Sequence, residues 1–270
     1  MKLSLVLSTH AAQFEAVALK GELDDNVARI AGWGYDGVEL AVRDPSLVDA
    51  DELAVLAARH DVEIPAIGTG QAWGEEQLSF TSADPDVREA AIARIQSHIP
   101  LAARLDAVII LGLIRGITPE GQTHAESMDL FTDAMRQCAE AAIPDGVRFA
   151  IEPLNRYETD LIHTAKEGLA FLDRVGLDNV GLLLDTFHMN IEEPSLKKAL
   201  RRSGDRLFHV HLADSNRWYP GAGHLNFATV IDTLDKMGYD GYLSGEFLPK
   251  PDADTAAQKT IATMRPMVMI

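Results

Sequence analysis

Short apolar runs alternate along the chain with longer stretches whose apolar positions recur every three to four residues. The runs at 3–8 (LSLVLS), 36–40 (DGVEL), 62–68 (VEIPAIG), 106–112 (DAVIILG), 147–152 (VRFAIE), 180–185 (VGLLLD), 207–211 (LFHVH) and 241–246 (GYLSGE) predict strands. Several are apolar at nearly every position, the pattern of parallel strands buried on both faces. Between them, amphipathic stretches near 22–33, 49–60, 84–104, 122–143, 164–175, 194–203, 225–237 and 254–264 predict helices. Asp or Thr precedes several of these as a cap. Gly34, Gly176 and Gly238 stand just before the next strand, where a glycine closes a helix.

Strict strand–helix alternation implies a parallel sheet. Eight repeats imply closure into a (β/α)8 TIM barrel, one domain over residues 1–270, rather than an open doubly wound sheet. No glycine-rich phosphate-binding run follows the first strand, which weakens a dinucleotide-binding reading. The segments after the strands are often long: 9–20, 69–83, 113–121, 153–163, 186–193 and 212–224. In this fold the site is built from those segments. Phe14 and Trp73 lie in the first two, where they either close over a substrate or pack the loops down.

Charge and composition narrow the partners. A formal net charge of -17 disfavours phosphate backbones and anionic membranes, while leaving room for a locally basic pocket. Cys138 is the single cysteine, so no internal disulfide forms, which fits a reducing cytoplasm. The helical pattern around Cys138 reads as packing. The N-terminal apolar run is short and broken by serines, so it reads as a first strand rather than a signal peptide. No apolar run is long enough to span a membrane.

Four consecutive predicted strands each end in a metal-ligating residue type: Glu152, Asp185, His211 and Glu246. Neighbouring parallel strands lie about 4.8 Å apart, so side chains leaving the same end can converge. Each alone has an ordinary explanation as a cap or a satisfied strand-end residue. Together, three carboxylates at one barrel mouth would repel one another unless a cation lay between them. Three carboxylates and an imidazole, with no thiolate, suit one Mn²⁺, Co²⁺ or Mg²⁺ ion. Asn155 and Glu158 follow the fifth strand, His188 lies just past Asp185, and Arg217 follows the seventh strand, all as candidate substrate contacts or loop-stabilising groups.

At these residues the chain resembles the xylose-isomerase-like sugar isomerases and epimerases. Glu152-Pro-Leu-Asn, Asp185-Thr-Phe-His-Met-Asn, His211-Leu-Ala-Asp-Ser-Asn-Arg and Glu246 are similar to the ketose 3-epimerases of D-tagatose and D-psicose (allulose). The stretches Ala41 to Ser46, Ala66 to Ala72, Glu152 to Asp160 and His211 to Pro220 further resemble the 5-keto-L-gluconate epimerases of inositol catabolism. The resemblance implies a metal held by Glu152, Asp185, His211 and Glu246, and substrate contacts at Glu158, His188 and Arg217. It also implies that Glu152 and Glu246 act as the acid–base pair, one on each face of a cis-enediolate whose charge the metal holds. A keto-sugar acid would carry a carboxylate, for which Arg43 and Arg115 are candidate bidentate partners or else surface ion pairs. Leu113 and Ile114 stand where ketohexose epimerases tend to have an aromatic residue, which points away from a simple ketohexose.

Aldose–ketose isomerisation of the hydroxypyruvate type, and epimerisation of neutral ketoses including L-ribulose, use related chemistry and remain open. A trinuclear endonuclease-like barrel fits poorly, because the third and fourth strands end at Gly68 and Gly112 without histidine. A non-catalytic sugar-binding protein would not need both glutamates. Relatives of this kind are commonly dimers or tetramers, and Trp218, Tyr219 and Pro220 offer a contact for such a homo-oligomer or a substrate lid.

Overall fold

The computed structural model describes residues 1–268. Eight parallel strands close into a barrel: β1 (Lys2–Ser8), β3 (Gly37–Ala41), β4 (Ala66–Gly68), β5 (Val108–Leu111), β6 (Phe149–Ile151), β7 (Val180–Asp185), β8 (Leu207–Leu212) and β9 (Tyr242–Gly245). Closure comes from β1 and β9, which pair from Lys2↔Tyr242 to Leu5↔Gly245. Beyond Leu5, a two-residue strand β2 (Leu19–Lys20) takes over that edge, pairing Leu7↔Leu19 and Ser8↔Lys20. The periodicity of the sequence does not reveal β2. This short strand pairs with the end of β1 beyond the residues that pair with β9.

The eight predicted strands all appear, most with ends displaced by one or two residues. The strand predicted over 62–68 is regular only from Ala66, with a single bridge at Glu63 reaching Gly37. The helices are α1 (Leu23–Gly32), α2 (Ala50–Arg59), α3 (Gln71–Glu76), α4 (Pro85–Ser97), α5 (Ile99–Leu105), α6 (His124–Ala142), α7 (Ala165–Val175), α8 (Thr186–Glu192), α9 (Leu196–Ser203), α10 (Phe227–Lys236) and α11 (Ala253–Val268). Two capping boxes, Thr123 with Glu126 and Thr164 with Glu167, start α6 and α7. Gly34, Gly176 and Gly238 take φ of 90°, 73° and 74°, the left-handed exits expected of them.

Three predicted segments differ. The helix read over 84–104 is two helices that meet at His98, because Pro100 has no N–H to continue the ladder. The segment 186–193, read as a loop, is the short helix α8, capped by Asp185. The 69–83 loop likewise contains α3.

Alternation along each strand divides the core. Outward residues such as Leu3, Leu5, Leu7, Val38 and Leu40 join the large apolar layer under the helices. The barrel interior holds a separate cluster of Ala66, Val108, Ile110, Ala150 and Leu183. Buried beside them are polar side chains, Ser4, Glu39, His209 and Ser244. Cys138 is buried in α6, and burial pushes its thiol up to about 12, as suits a packing residue.

Candidate active site

At the C-terminal ends of the strands lies a cavity of about 290 Å3, lined by residues that include Phe14, Trp73, Leu113, Glu152, His188, His211, Arg217 and Glu246. That volume is near the lower end of small-molecule pockets, about 300–1,000 Å3. A larger hollow of about 440 Å3 sits at the opposite, N-terminal end among Val62, Pro65, Arg148, Phe208 and Tyr242. It lacks the convergent acidic groups of the upper cavity.

Glu152 and Glu246 leave the ends of β6 and β9, Asp185 closes β7, and His211 projects inward from β8. The structure brings all four together, with one ligand atom of each within 4.8 Å of the others. His211 Nδ1 lies 3.7 Å from Glu152 Oε1 and 3.6 Å from Glu246 Oε2. Asp185 Oδ1 caps α8 by accepting from the Phe187 N–H at 2.7 Å, which aims the other oxygen at the cluster. Glu152 Oε1, Asp185 Oδ2 and His211 Nδ1 are buried without a hydrogen-bond partner. Three orphaned ligand atoms facing one point are costly unless something binds there. The donor set and the orphans fit a divalent cation.

The electrostatics of the cluster favour a positive charge among these groups. Burial, with Glu152 adding to it, pushes the Asp185 carboxyl up to about 7 despite Arg217 nearby. Burial opposes a charge on His211, but Glu39 and Glu246 outweigh it and hold the imidazole well above its usual range. Burial also acts to raise Glu246, yet His211 and Arg217 keep it low. Without a cation, protons therefore offset the acidic cluster.

Gly112 borders Glu152 closely: a methyl group there would sit 3.0 Å from Glu152 Oε2. Gly112→Ala should weaken divalent-cation affinity by about tenfold by displacing Glu152. Isothermal titration on the folded variant checks this, and an unchanged affinity would show that Glu152 has room to shift.

The remaining predicted residues divide into two groups. Asn155, Glu158, His188 and Arg217 gather around the cluster. The Asn155 backbone N–H donates to His188 Nδ1 at 3.2 Å, and its side-chain amide donates to Glu158 Oε1 at 2.7 Å. His188 Nε2 lies 3.1 Å from the Arg217 guanidinium, which can only donate, and 3.8 Å from both Glu152 and Asp185. Burial and Arg217 hold His188 well below its usual range, so the ring is neutral. Burial raises the carboxyl of Glu158, which lines the cavity. Arg217 donates to Glu246 Oε2 at 2.5 Å, approaches Asp185 Oδ2 at 3.3 Å and covers the Phe187 ring. Its backbone takes φ 62°, a strained turn held by Asp214, which accepts from the backbones of Ser215, Gly221 and Leu225.

Arg43 and Arg115 are elsewhere, and the expectation that they clamp a substrate carboxylate is corrected. Arg115 is fully buried and donates to the carbonyls of Leu111, Gly112 and Glu152. It braces the backbone carrying Glu152, and burial lowers it only to about 10, so it stays charged. Arg43 pairs with Glu75 at 2.8 Å and with Glu76 at 3.1 Å. Glu75 also takes His10 Nε2 at 3.1 Å and the Gln13 N–H at 3.1 Å, tying α3 to the first loop over the cavity. Neither arginine lines the cavity. Arg43→Ala should loosen this roof by about 1 kcal/mol, raising KM about fivefold with little change in kcat. Steady-state kinetics checks it; an equal fall in kcat would place Arg43 nearer the chemistry.

Glu39 escaped the sequence reading. It stands in the third register of β3 and accepts from both His209 and His211 inside the barrel. Its charge in DGVEL, a strand otherwise suited to burial, was the available signal. Burial acts to raise the Glu39 carboxyl, but the two histidines hold it well below the usual carboxylate range. Among the aromatics, Phe14 packs on Val6, Val17 and Ala41 and also lines the cavity with Trp73, so packing and covering coincide.

The xylose isomerase-like TIM barrel family matches residues 27–267. An L-ribulose 3-epimerase of Mesorhizobium japonicum is 32% identical over 96% of this chain and 86% of its own. A D-psicose 3-epimerase of Enterocloster bolteae is 41% identical over 79% of this chain and 72% of its own. The solved D-psicose 3-epimerase of Clostridium cellulolyticum superposes with a TM-score of 0.85, at 26% identity and 99% coverage of both chains. The shared fold, the length of the match and the relatives' activities lead to one conclusion: this chain belongs to the xylose isomerase-like TIM barrel family and is a carbohydrate epimerase of the keto-sugar group.

Proposed function

We propose that the protein inverts the carbon beside the ketone of a keto-sugar, using Glu152 and Glu246 as the acid–base pair and one divalent cation, Mn²⁺ first among the candidates, held by Glu152, Asp185, His211 and Glu246. The observation that carries this is the convergence with Glu246, at the barrel mouth, of three buried ligand atoms that make no hydrogen bond, Asp185 Oδ2 having only the ionic approach of Arg217 at 3.3 Å. When bound, the cation supplies Lewis-acid polarisation of the carbonyl and acidifies the neighbouring C–H. The protein's own groups do the rest. His188 and Arg217 line the cavity and in this reading contact the substrate oxygens, Arg217 from its pairs with Glu246 and Asp185. Glu152 and Glu246 approach His211 Nδ1 at 3.7 Å and 3.6 Å, and in this reading one takes a proton from one face of the substrate while the other returns it to the opposite face. Phe14 and Trp73 shield the reacting face from water.

Two substrate readings each have an observation behind them. The lining favours a neutral ketose: Glu75 and Glu158 face the cavity, and its arginine, Arg217, is committed to Glu246 and Asp185. The stretches Ala41 to Ser46 and Ala66 to Ala72 support a keto-sugar acid of the 5-keto-L-gluconate type. Proton NMR in D₂O, with the Mn²⁺-activated enzyme quenched before recording, separates them. Parallel reactions contain 5-keto-gluconate, a ketohexose and L-ribulose. Deuterium at the carbon beside the ketone, with the epimer formed, supports the reading, and the fastest substrate decides the class. Exchange at C1 with an aldose product would replace it with aldose–ketose isomerisation.

A further inference from the structure

Below the four converging ligands, the barrel interior holds a second polar cluster that shares His211 with them. Glu39 enters from β3, and His209 and His211 enter from β8 two residues apart, all three buried. Glu39 Oε1 lies 2.9 Å from His211 Nε2, and Oε2 lies 2.8 Å from His209 Nε2. His209 Nε2 is also 2.9 Å from Ser244 Oγ, which bonds Ser4 across the β1–β9 seam. The two imidazoles meet edge to face, with centroids 5.4 Å apart.

The donor–acceptor rules fix the protons. An ionised carboxylate only accepts, so each histidine must present an N–H to Glu39 from Nε2. A neutral His211 with its proton on Nε2 has a bare lone pair on Nδ1. That atom is the one without a partner, and it faces Glu152 and Glu246. His209, held by the other oxygen and by Ser244, keeps Glu39 from following His211 if that ring turns.

We propose that Glu39 is a positioning residue: shared between His209 and His211, it fixes the tautomer and ring plane of His211 so that Nδ1 is presented to the cation. This rests on the reading that Glu152, Asp185, His211 and Glu246 hold the cation. Glu39, His209 and His211 could themselves be taken for a metal site, since their ligand atoms cluster equally closely. Their Nε2 atoms and the carboxylate are already bonded to one another, whereas the orphaned atoms belong to the upper cluster.

The test is the Mn²⁺ dissociation constant, read from the electron paramagnetic resonance of free Mn²⁺, for the wild type, Glu39→Gln, His209→Gln and Glu152→Gln. Orienting partners of metal-bound histidines typically contribute about 10–100-fold in affinity, so Glu39→Gln should weaken binding by that factor. His209→Gln should weaken it less, and Glu152→Gln should weaken it most. Circular dichroism verifies that each variant is folded. A second measurement needs no variant: long-range ¹H–¹⁵N correlation on the Mg²⁺-loaded wild type should show the His211 proton on Nε2. An Nδ1 proton there would overturn the proposal, as would wild-type Mn²⁺ affinity in Glu39→Gln while Glu152→Gln has lost it. Unchanged binding in Glu152→Gln, with loss in His209→Gln, would instead move the cation to the lower cluster and overturn the site reading as well.

Discussion

Glu246→Gln should lose about 10²–10⁴-fold in turnover while the protein stays folded and still binds its cation. The side-chain shape is kept, and the amide oxygen can remain a ligand near His211 Nδ1, which lies 3.6 Å from Glu246 Oε2. What is lost is a group that can accept and return a proton on one face of the substrate. Arg217, which donates to Glu246 Oε2 at 2.5 Å, also loses its ionic partner there and would favour the remaining acidic groups, Asp185 among them. Because Glu152 is untouched, the variant should still exchange deuterium into one epimer of the substrate without inverting it. Glu152→Gln should show the mirror image, exchange into the other epimer alone. The measurement is NMR of both epimers in D₂O for both variants, with cation content determined in parallel. Near-wild-type epimerisation by Glu246→Gln with cation bound would remove Glu246 from the acid–base role.

The second large effect concerns the cation. Chelation should abolish turnover, and restoring Mn²⁺ to about 100 times its dissociation constant should stabilise the fold by about 2.7 kcal/mol. For a chain somewhat above the range where 1 kcal/mol moves Tm by about 2–4 °C, that corresponds to a rise of roughly 5–10 °C. Asp185→Asn should lose most of this rise, since Asp185 Oδ2 is one of the orphaned ligand atoms. The effect should depend on pH with a definite sign. In the cation-free protein the Asp185 carboxyl and the His211 imidazole are both held above their usual ranges, the former near about 7. Cation uptake must displace those protons. Binding therefore releases protons, and the Tm increment shrinks as pH falls below neutrality. A differential scanning series at several pH values checks it. No Mn²⁺-dependent change in Tm at neutral pH would argue against the four-residue cation site.

Much of the catalytic end was legible in the sequence because the features that mark it are local. Strand ends are set by the change from apolar runs to helical periodicity, and Glu152, Asp185, His211 and Glu246 each stand at such a change. His188 and Arg217 follow ligands within a few residues, so their loops could only bring them nearby. The two arginines went the other way for equally local reasons. Arg115 follows a strand like a site residue, but the 3-10 turn at Leu113–Arg115 folds its guanidinium back onto the carbonyls of Leu111 and Gly112. Arg43 follows the second strand, but α3 brings Glu75 and Glu76 over it. Nothing in the sequence showed that the 69–83 segment would fold as that helix.

The sequence by itself determined the barrel and the four side chains that converge at one end of it, because a period of two in strands and of about 3.6 in helices is written residue by residue. Only the tertiary structure decided what lies inside the barrel and what each arginine touches. Glu39 and His211 are 172 positions apart, and their contact exists only because closure through β1 and β9 turns inward faces of distant strands toward one axis. Contacts of that range leave no periodic trace in the chain. They follow from the register in which strands pair, which is fixed by the packing of the whole domain rather than by any stretch of it.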